Sequence, residues 1–209
     1  MGIQSAKSLN IFPTKIFRMQ ISMFELPVER LVERILERMT QNPSNQCSNI
    51  AGWRSGNDLF DWDSNTIQLK RLVCTGISDF MRQEKLLTDP EFELEGYAWA
   101  NVLANGAFNQ PHVHPNSFLS AVLYLRSGQP QCGGQLILMD PRGLAEMSQW
   151  PTAFLAEGEG YPIEPIPGEL IVFPSWLRHW VAPYKSEEPR ISIAMNFFPK
   201  HRQVKQNVL

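Results

Sequence analysis

The chain has 209 residues, the size of one ordinary domain, and can bury a sizeable core without disulfide or metal staples. Apolar residues are 43% and charged residues 19% of the sequence, too apolar for a disordered chain. With 19 basic and 21 acidic residues the net charge is -2, so no basic face invites a nucleic acid. Cys47, Cys74 and Cys132 are far apart and odd in number, which argues against a disulfide framework or a cysteine zinc site. The start lacks the apolar stretch of a signal peptide, and position 6 is Ala6, which breaks the myristoylation pattern. No apolar run approaches the roughly 20 residues of a membrane helix. A soluble, cytoplasmic protein with no membrane contact is expected.

In chain order, Ile11 to Ile21 holds a strand, TKIFRMQI. Pro27 opens a helix whose apolar positions Val28, Leu31, Val32, Ile35, Leu36 and Met39 share one face. Asn42 to Asp63 reads as a loop anchored by Trp53 and Trp62. A second helix is expected from Ser64 to about Lys85, with Leu69, Leu72, Val73, Ile77, Phe80 and Met81 as its stripe. From Phe92 the period becomes two: Tyr97, Trp99, Asn101 and Leu103 alternate with Ala98, Ala100 and Val102. Further strands are expected at Phe118 to Leu125, Gln135 to Met139, Glu169 to Phe173 and Arg190 to Phe198. The segment from Arg142 to Pro167 has little periodicity and reads as a binding-loop or lid candidate. Helices first and short strands after give an α+β chain whose strand half is a closed or two-sheet β structure. The glycine spacing from Gly128 to Gly134 is that of a phosphate loop, but no lysine and hydroxyl residue follow where that motif needs them.

Chemistry concentrates on few residues. His112 and His114 stand two apart; on an extended segment both imidazoles project from one side, about 6.6 Å apart along the chain. That pair can chelate a metal, or simply lie on a surface turn. A third histidine, His179, follows the strand of GELIVFPSWLRH. On RISIAMNFF, Arg190, Ser192, Ala194 and Asn196 face one way and the apolar residues the other. An arginine heading such a row suits an enclosed anion, held by a forked guanidinium. A solvated edge strand is the plainer alternative.

PHVHPNSFLSAVLYL, GGQLILMDPR and GELIVFPSWLRHWVAPYKSEEPRISIAMNFF together resemble the iron(II)- and 2-oxoglutarate-dependent oxygenases, most closely a bacterial and phage subgroup with an HxHPNS motif. IFPTKIFR and GWRSGNDL extend the likeness over nearly the whole chain. The resemblance implies a double-stranded β-helix, or jelly roll, at about residues 91–200, with the helical part, about 1–90, packed outside it in a single domain spanning 1–209. It implies Fe(II) on His112 and His179, with 2-oxoglutarate anchored by Arg190 and Ser192 and assisted by Tyr124. His114 occupies the position of the family's usual carboxylate. A three-histidine face still leaves about three positions open on an octahedral ion, enough for a bidentate keto acid and O₂. Asp140 is the alternative carboxylate donor. Asn116, Arg142 and Trp176 are substrate-facing candidates, and the substrate itself is an unknown small molecule or peptide. Two other functions stay open: a three-histidine dioxygenase that uses no 2-oxoglutarate, and a jelly-roll metal-binding module without turnover. His201, in a basic polar tail, is expected to be solvated.

Overall fold

The architecture is that of a computed structural model describing residues 5, 7, 11–22, 26–89, 92–142 and 160–200. Two helices and eleven strands follow one another as β1 (Phe17–Gln20), α1 (Val28–Gln41), β2 (Asn49–Ile50), β3 (Trp53–Arg54), α2 (Ser64–Gln83), β4 (Leu94–Leu103), β5 (Phe108–His112), β6 (Leu119–Arg126), β7 (Leu136–Leu138), β8 (Tyr161–Ile163), β9 (Glu169–Pro174), β10 (His179–Val181) and β11 (Arg190–Pro199). The strands form a six-stranded sheet, ordered β1-β9-β6-β11-β4-β3, and a five-stranded sheet, ordered β2-β5-β10-β7-β8. Pairings within both sheets are antiparallel. This is the two-sheet structure that the strand pattern anticipated and the jelly roll that the resemblance implied.

Helix α1 begins behind Pro27, where a missing N–H costs nothing. It buries Val28, Leu31, Val32 and Ile35, each of which contributes roughly 1.5–3 kcal/mol when fully enclosed. Met39, placed on the same face from sequence, is 40% exposed, because the last turn runs past the core. Helix α2 starts with a capping box: Asp63 Oδ1 accepts from the N–H groups of Asn65 (2.9 Å) and Thr66 (3.0 Å), and Thr66 Oγ1 accepts from the Asp63 N–H. Both helices pack on the outer face of the six-stranded sheet. There Leu69, Val73 and Ile77 join Ala98, Ala100 and Val102 of β4 and Ile191, Ile193, Met195 and Phe197 of β11 in one core.

The opposite faces of β4 and β11 turn inward between the sheets, so each strand builds the core with one row of side chains and the site with the other. A second apolar cluster, including Tyr124, Leu136, Leu138, Ile171 and Phe173, joins the two sheets there. The stretch Asn42 to Asp63 is more than a loop. It contributes β2, β3 and a single 3-10 turn, Leu59–Asp61. Of the candidate lid, Tyr161–Ile163 is strand β8 at the edge of the smaller sheet; residues 143–159 lie outside the described residues, as does His201.

Candidate metal and co-substrate site

His112 closes β5 and His179 opens β10, and the two are directly paired across the antiparallel ladder. Two steps along β10 correspond to three along β5, so a bulge falls at Gln110 and Pro111. Proline lacks the ladder N–H and suits a bulge. The bulge leaves the Gln110 carbonyl free to accept from His112 Nδ1 at 2.7 Å. His179 Nδ1 does the same with the Leu177 carbonyl at 2.9 Å. In both rings the proton therefore sits on Nδ1 and Nε2 is left as a lone pair, the arrangement that second-shell carbonyls impose on metal-binding imidazoles.

His114 lies just beyond β5, held by its backbone N–H to the Ser175 carbonyl at 3.1 Å. Its ring comes within 4.9 Å of His112 and 5.1 Å of His179, centroid to centroid. The Nε2 atoms of His114 and His179 are 3.3 Å apart, and one nitrogen from each of the three rings lies within 4.8 Å of the others. Metal–nitrogen bonds of about 2.1 Å at right angles place donors about 3.0 Å apart, so the cluster is close to the spacing a shared ion requires. Burial lowers all three imidazole pKa values, His114 to about 4 and His179 to about 3; neighbouring rings add to the shift at His114 and His179, and the Arg54 charge at His112 and His114. The trio is therefore neutral, as ligating histidines must be. Among the described residues this is the group of side chains suited to a metal. Asp140 is not in it; its carboxylate instead accepts from Arg142 Nε at 2.9 Å.

A cavity of about 290 Å³ opens from the triad between the sheets and reaches Arg190 and Ser192. Arg190 is 2% exposed and has no carboxylate partner among the described residues. Its Nη1 donates to Ser192 Oγ at 3.2 Å, its Cζ lies 5.0 Å from the centre of the Tyr124 ring, and its Nε has no acceptor. The buried Tyr124 hydroxyl also lacks a partner. Burial pushes the guanidinium pKa down and the phenol pKa up. A second bulge aligns these groups: one step from Ile191 to Ser192 spans two on β6, from Arg126 to Tyr124, and sets Tyr124 opposite Ser192. Gly134 makes room for the arginine. It sits at φ +75°, and a Cβ there would lie 2.9 Å from Arg190 Cδ. Of the glycines that resemble a phosphate loop, Gly134 is the one that packs against the guanidinium side chain.

The three substrate-facing candidates do not line this cavity. Asn116 takes a left-handed turn conformation at φ 63°, Arg142 is engaged with Asp140, and Trp176 is 59% exposed. Sequence reasoning missed Arg54, Trp99 and Asn101, which line the cavity wall from β3 and β4. An asparagine in the aromatic row of β4 was the available signal.

Residues 97–196 match the model of a family described as "Putative 2OG-Fe(II) oxygenase". Over these residues, just under half of its length, the chain is similar to that family. They contain all three histidines, Tyr124, Arg190 and Ser192. Solved structures share the fold. A prolyl-4-hydroxylase from Pseudomonas putida is 22% identical, with 90% of this chain and 94% of that one covered and a TM-score of 0.60. A prolyl hydroxylase from Trichoplax adhaerens, in complex with a hypoxia inducible factor peptide fragment, is 15% identical over 88% of this chain and 83% of that one, with a TM-score of 0.56. HygX from Streptomyces hygroscopicus, with nickel and 2-oxoglutarate bound, is 12% identical over 90% and 83%, with a TM-score of 0.55. No curated protein matches the chain in sequence.

Proposed function

We propose that the chain is an iron(II)- and 2-oxoglutarate-dependent hydroxylase in which His112, His114 and His179 hold the metal. Arg190, Ser192 and Tyr124 then hold the far carboxylate of 2-oxoglutarate. The observation that carries this reading is a single cavity with a neutral three-imidazole cluster at one end and a buried, carboxylate-free guanidinium at the other. Iron(II), when bound, supplies O₂ activation and the oxidative decarboxylation of 2-oxoglutarate to succinate and CO₂, coupled to hydroxylation of a C–H bond.

The chain's own residues prepare that chemistry. The carbonyls of Gln110 and Leu177 hold two imidazoles in the ligating tautomer. Arg190 Nε and the Tyr124 hydroxyl are two buried donors awaiting acceptors, which a carboxylate supplies. Leu136, Phe173, Val122 and Ala194 give the cavity an apolar wall. Three neutral ligands leave a bound divalent cation uncompensated, so a dianionic keto acid is drawn in and balances it. Arg142, Asn116 and Trp176 retain a role only toward parts of a substrate outside the cavity. Among the described residues no helix is long and apolar enough to cross a membrane. The reading is of a cytoplasmic enzyme acting on a small molecule or peptide.

Succinate formation from 2-oxoglutarate with Fe(II) and O₂ tests the proposal. Arg190→Ala should weaken 2-oxoglutarate binding by about two to three orders of magnitude, from the roughly 3–5 kcal/mol cost of breaking a buried ion pair. Arg190→Lys should weaken it less, because charge stays while the planar fork is lost. Metal binding without any 2-oxoglutarate binding would favour the three-histidine dioxygenase or the binding module instead.

A further inference from the structure

Arg54 is the second guanidinium of the cavity. It is 9% exposed, and among the described residues no carboxylate lies within ion-pair distance of it. Its Cζ stacks 4.6 Å from the centre of the Trp99 ring. Nη1 donates to the Ser55 carbonyl at 2.9 Å and Nη2 to Asn57 Oδ1 at 2.6 Å. These bonds orient the group without neutralising it.

The sheet register explains where it points. Arg54 pairs with Asn101, Asn101 with Ser192, and Ser192 with Tyr124. The four residues form one polar row across β3, β4, β11 and β6. Arg54 stands at the β3 end, two strand spacings, about 10 Å, from Ser192. Arg190 serves the other end. Between them Asn101, only 8% exposed, has a side-chain oxygen with no donor. A buried amide oxygen without a partner is costly, so the row is incomplete until something donates to it. Arg54 lines the same cavity as His112 and His114.

Charge balance decides what completes the row. Among the described residues no Asp or Glu lines the cavity. On the reading of the site given above, 2-oxoglutarate balances the metal ion, and Arg190 and Arg54 are then left positive. In the usual triad a ligating carboxylate offsets one of those charges, but here His114 stands in its place. We propose that Arg54, stacked on Trp99 and flanked by Asn101, is the substrate-binding group, and that the substrate carries a carboxylate with a hydrogen-bond donor beside it. The carboxylate pairs with the guanidinium; the donor satisfies Asn101. Both an α-amino acid and an acidic side chain of a peptide offer this chemistry.

The test is ligand-observed NMR on the full chain loaded with zinc and 2-oxoglutarate. One arm presents the free L-amino acids and their matching primary amides. A second presents N-acetyl-Asp and N-acetyl-Glu amides, whose only carboxylate is the side chain. Binding by a free acid and not its amide points to an α-carboxylate, and binding in the second arm to an acidic peptide; either supports the proposal. Arg54→Gln should weaken the bound acid by at least about tenfold, the loss of a charge-assisted hydrogen bond, and Arg54→Lys should recover part of it. Amides binding as well as acids, no acid binding in either arm, or an unchanged affinity in Arg54→Gln would overturn it. The acid-against-amide comparison uses the unmodified chain, so it stands even where a variant folds poorly. None of these measurements needs O₂ or turnover. A protein that binds acids through Arg54 but makes no succinate loses the oxygenase reading and keeps this one; the converse result does the opposite.

Discussion

Replacing Gly134 by alanine separates backbone strain from the geometry of the co-substrate anchor. Two costs arise. Alanine at φ +75° pays the left-handed penalty, about 1–2 kcal/mol of stability. The new Cβ also comes within 2.9 Å of Arg190 Cδ and 3.3 Å of its Nε, against an ordinary carbon contact of about 3.5–4.0 Å. The obstacle is a side chain, so Arg190 shifts rather than the sheet. That displaces a guanidinium already fixed by Ser192 Oγ at 3.2 Å and by the Tyr124 ring. Losing one charge-assisted hydrogen bond to 2-oxoglutarate costs about 1.5–3 kcal/mol, roughly a ten- to hundredfold weaker Kd. Gly106 is the control: it has φ +84° and nothing within 4 Å of a built Cβ, so Gly106→Ala pays the strain alone. Calorimetric titration of 2-oxoglutarate into metal-loaded protein reads affinity, and urea unfolding reads stability. Gly134→Ala should lose both, Gly106→Ala only stability. Equal co-substrate affinity in the two variants would refute the assignment of Arg190.

How far this site was legible in the sequence depended on the length of the element carrying each residue. Arg190 and Ser192 sit on a ten-residue strand whose period of two declares its faces, and α1 and α2 announce theirs by the spacing of their aliphatics. His112 and His179 belong to strands of five and three residues, too short for any period; what revealed them was residue type. Arg54 lies on a two-residue strand inside a polar stretch, and there neither signal exists. Tyr124 faced the right way only because an extra residue on β6 shifts the register beside Ser192, a bulge that no local pattern encodes. Asn116, Arg142 and Trp176 do not line the cavity. They are neighbours of the site in sequence, while the cavity is walled by strands distant in sequence and adjacent in the sheets.

Three further predictions follow from the same contacts. Asp63→Ala removes the cap of α2 and should cost about 0.5–2 kcal/mol in urea unfolding while metal content is unchanged. His114→Ala should reduce metal affinity by no less than the roughly 10–100-fold that loss of a ligand's supporting partner costs, whereas His114→Asp should keep the metal; full metal retention after dialysis of His114→Ala would leave His114 as a mere neighbour. The last concerns pH. An ordinary imidazole, with a pKa near 6.5, would lose its metal as pH falls through that value. Here burial holds His114 at about 4 and His179 at about 3, so the folded metal-free protein keeps both neutral well below pH 6. The unfolded chain does take up protons below about 6.5. It then binds more protons than the folded chain, and stability falls with falling pH by up to about 1.4 kcal/mol per unit for each histidine. Above about pH 7 neither state is protonated and the contribution is nil. Urea midpoints of metal-free protein should therefore be level at pH 7–8 and decline from about 6.5 toward 4.5, with a shallower decline in His179→Gln. Metal retention in the folded protein should survive to a lower pH than 6.5, because protons compete poorly for nitrogens that burial has already kept neutral. An equally steep decline in His179→Gln, or metal loss centred at 6.5, would show these imidazoles to be solvated and would remove the argument for a pre-formed neutral cluster.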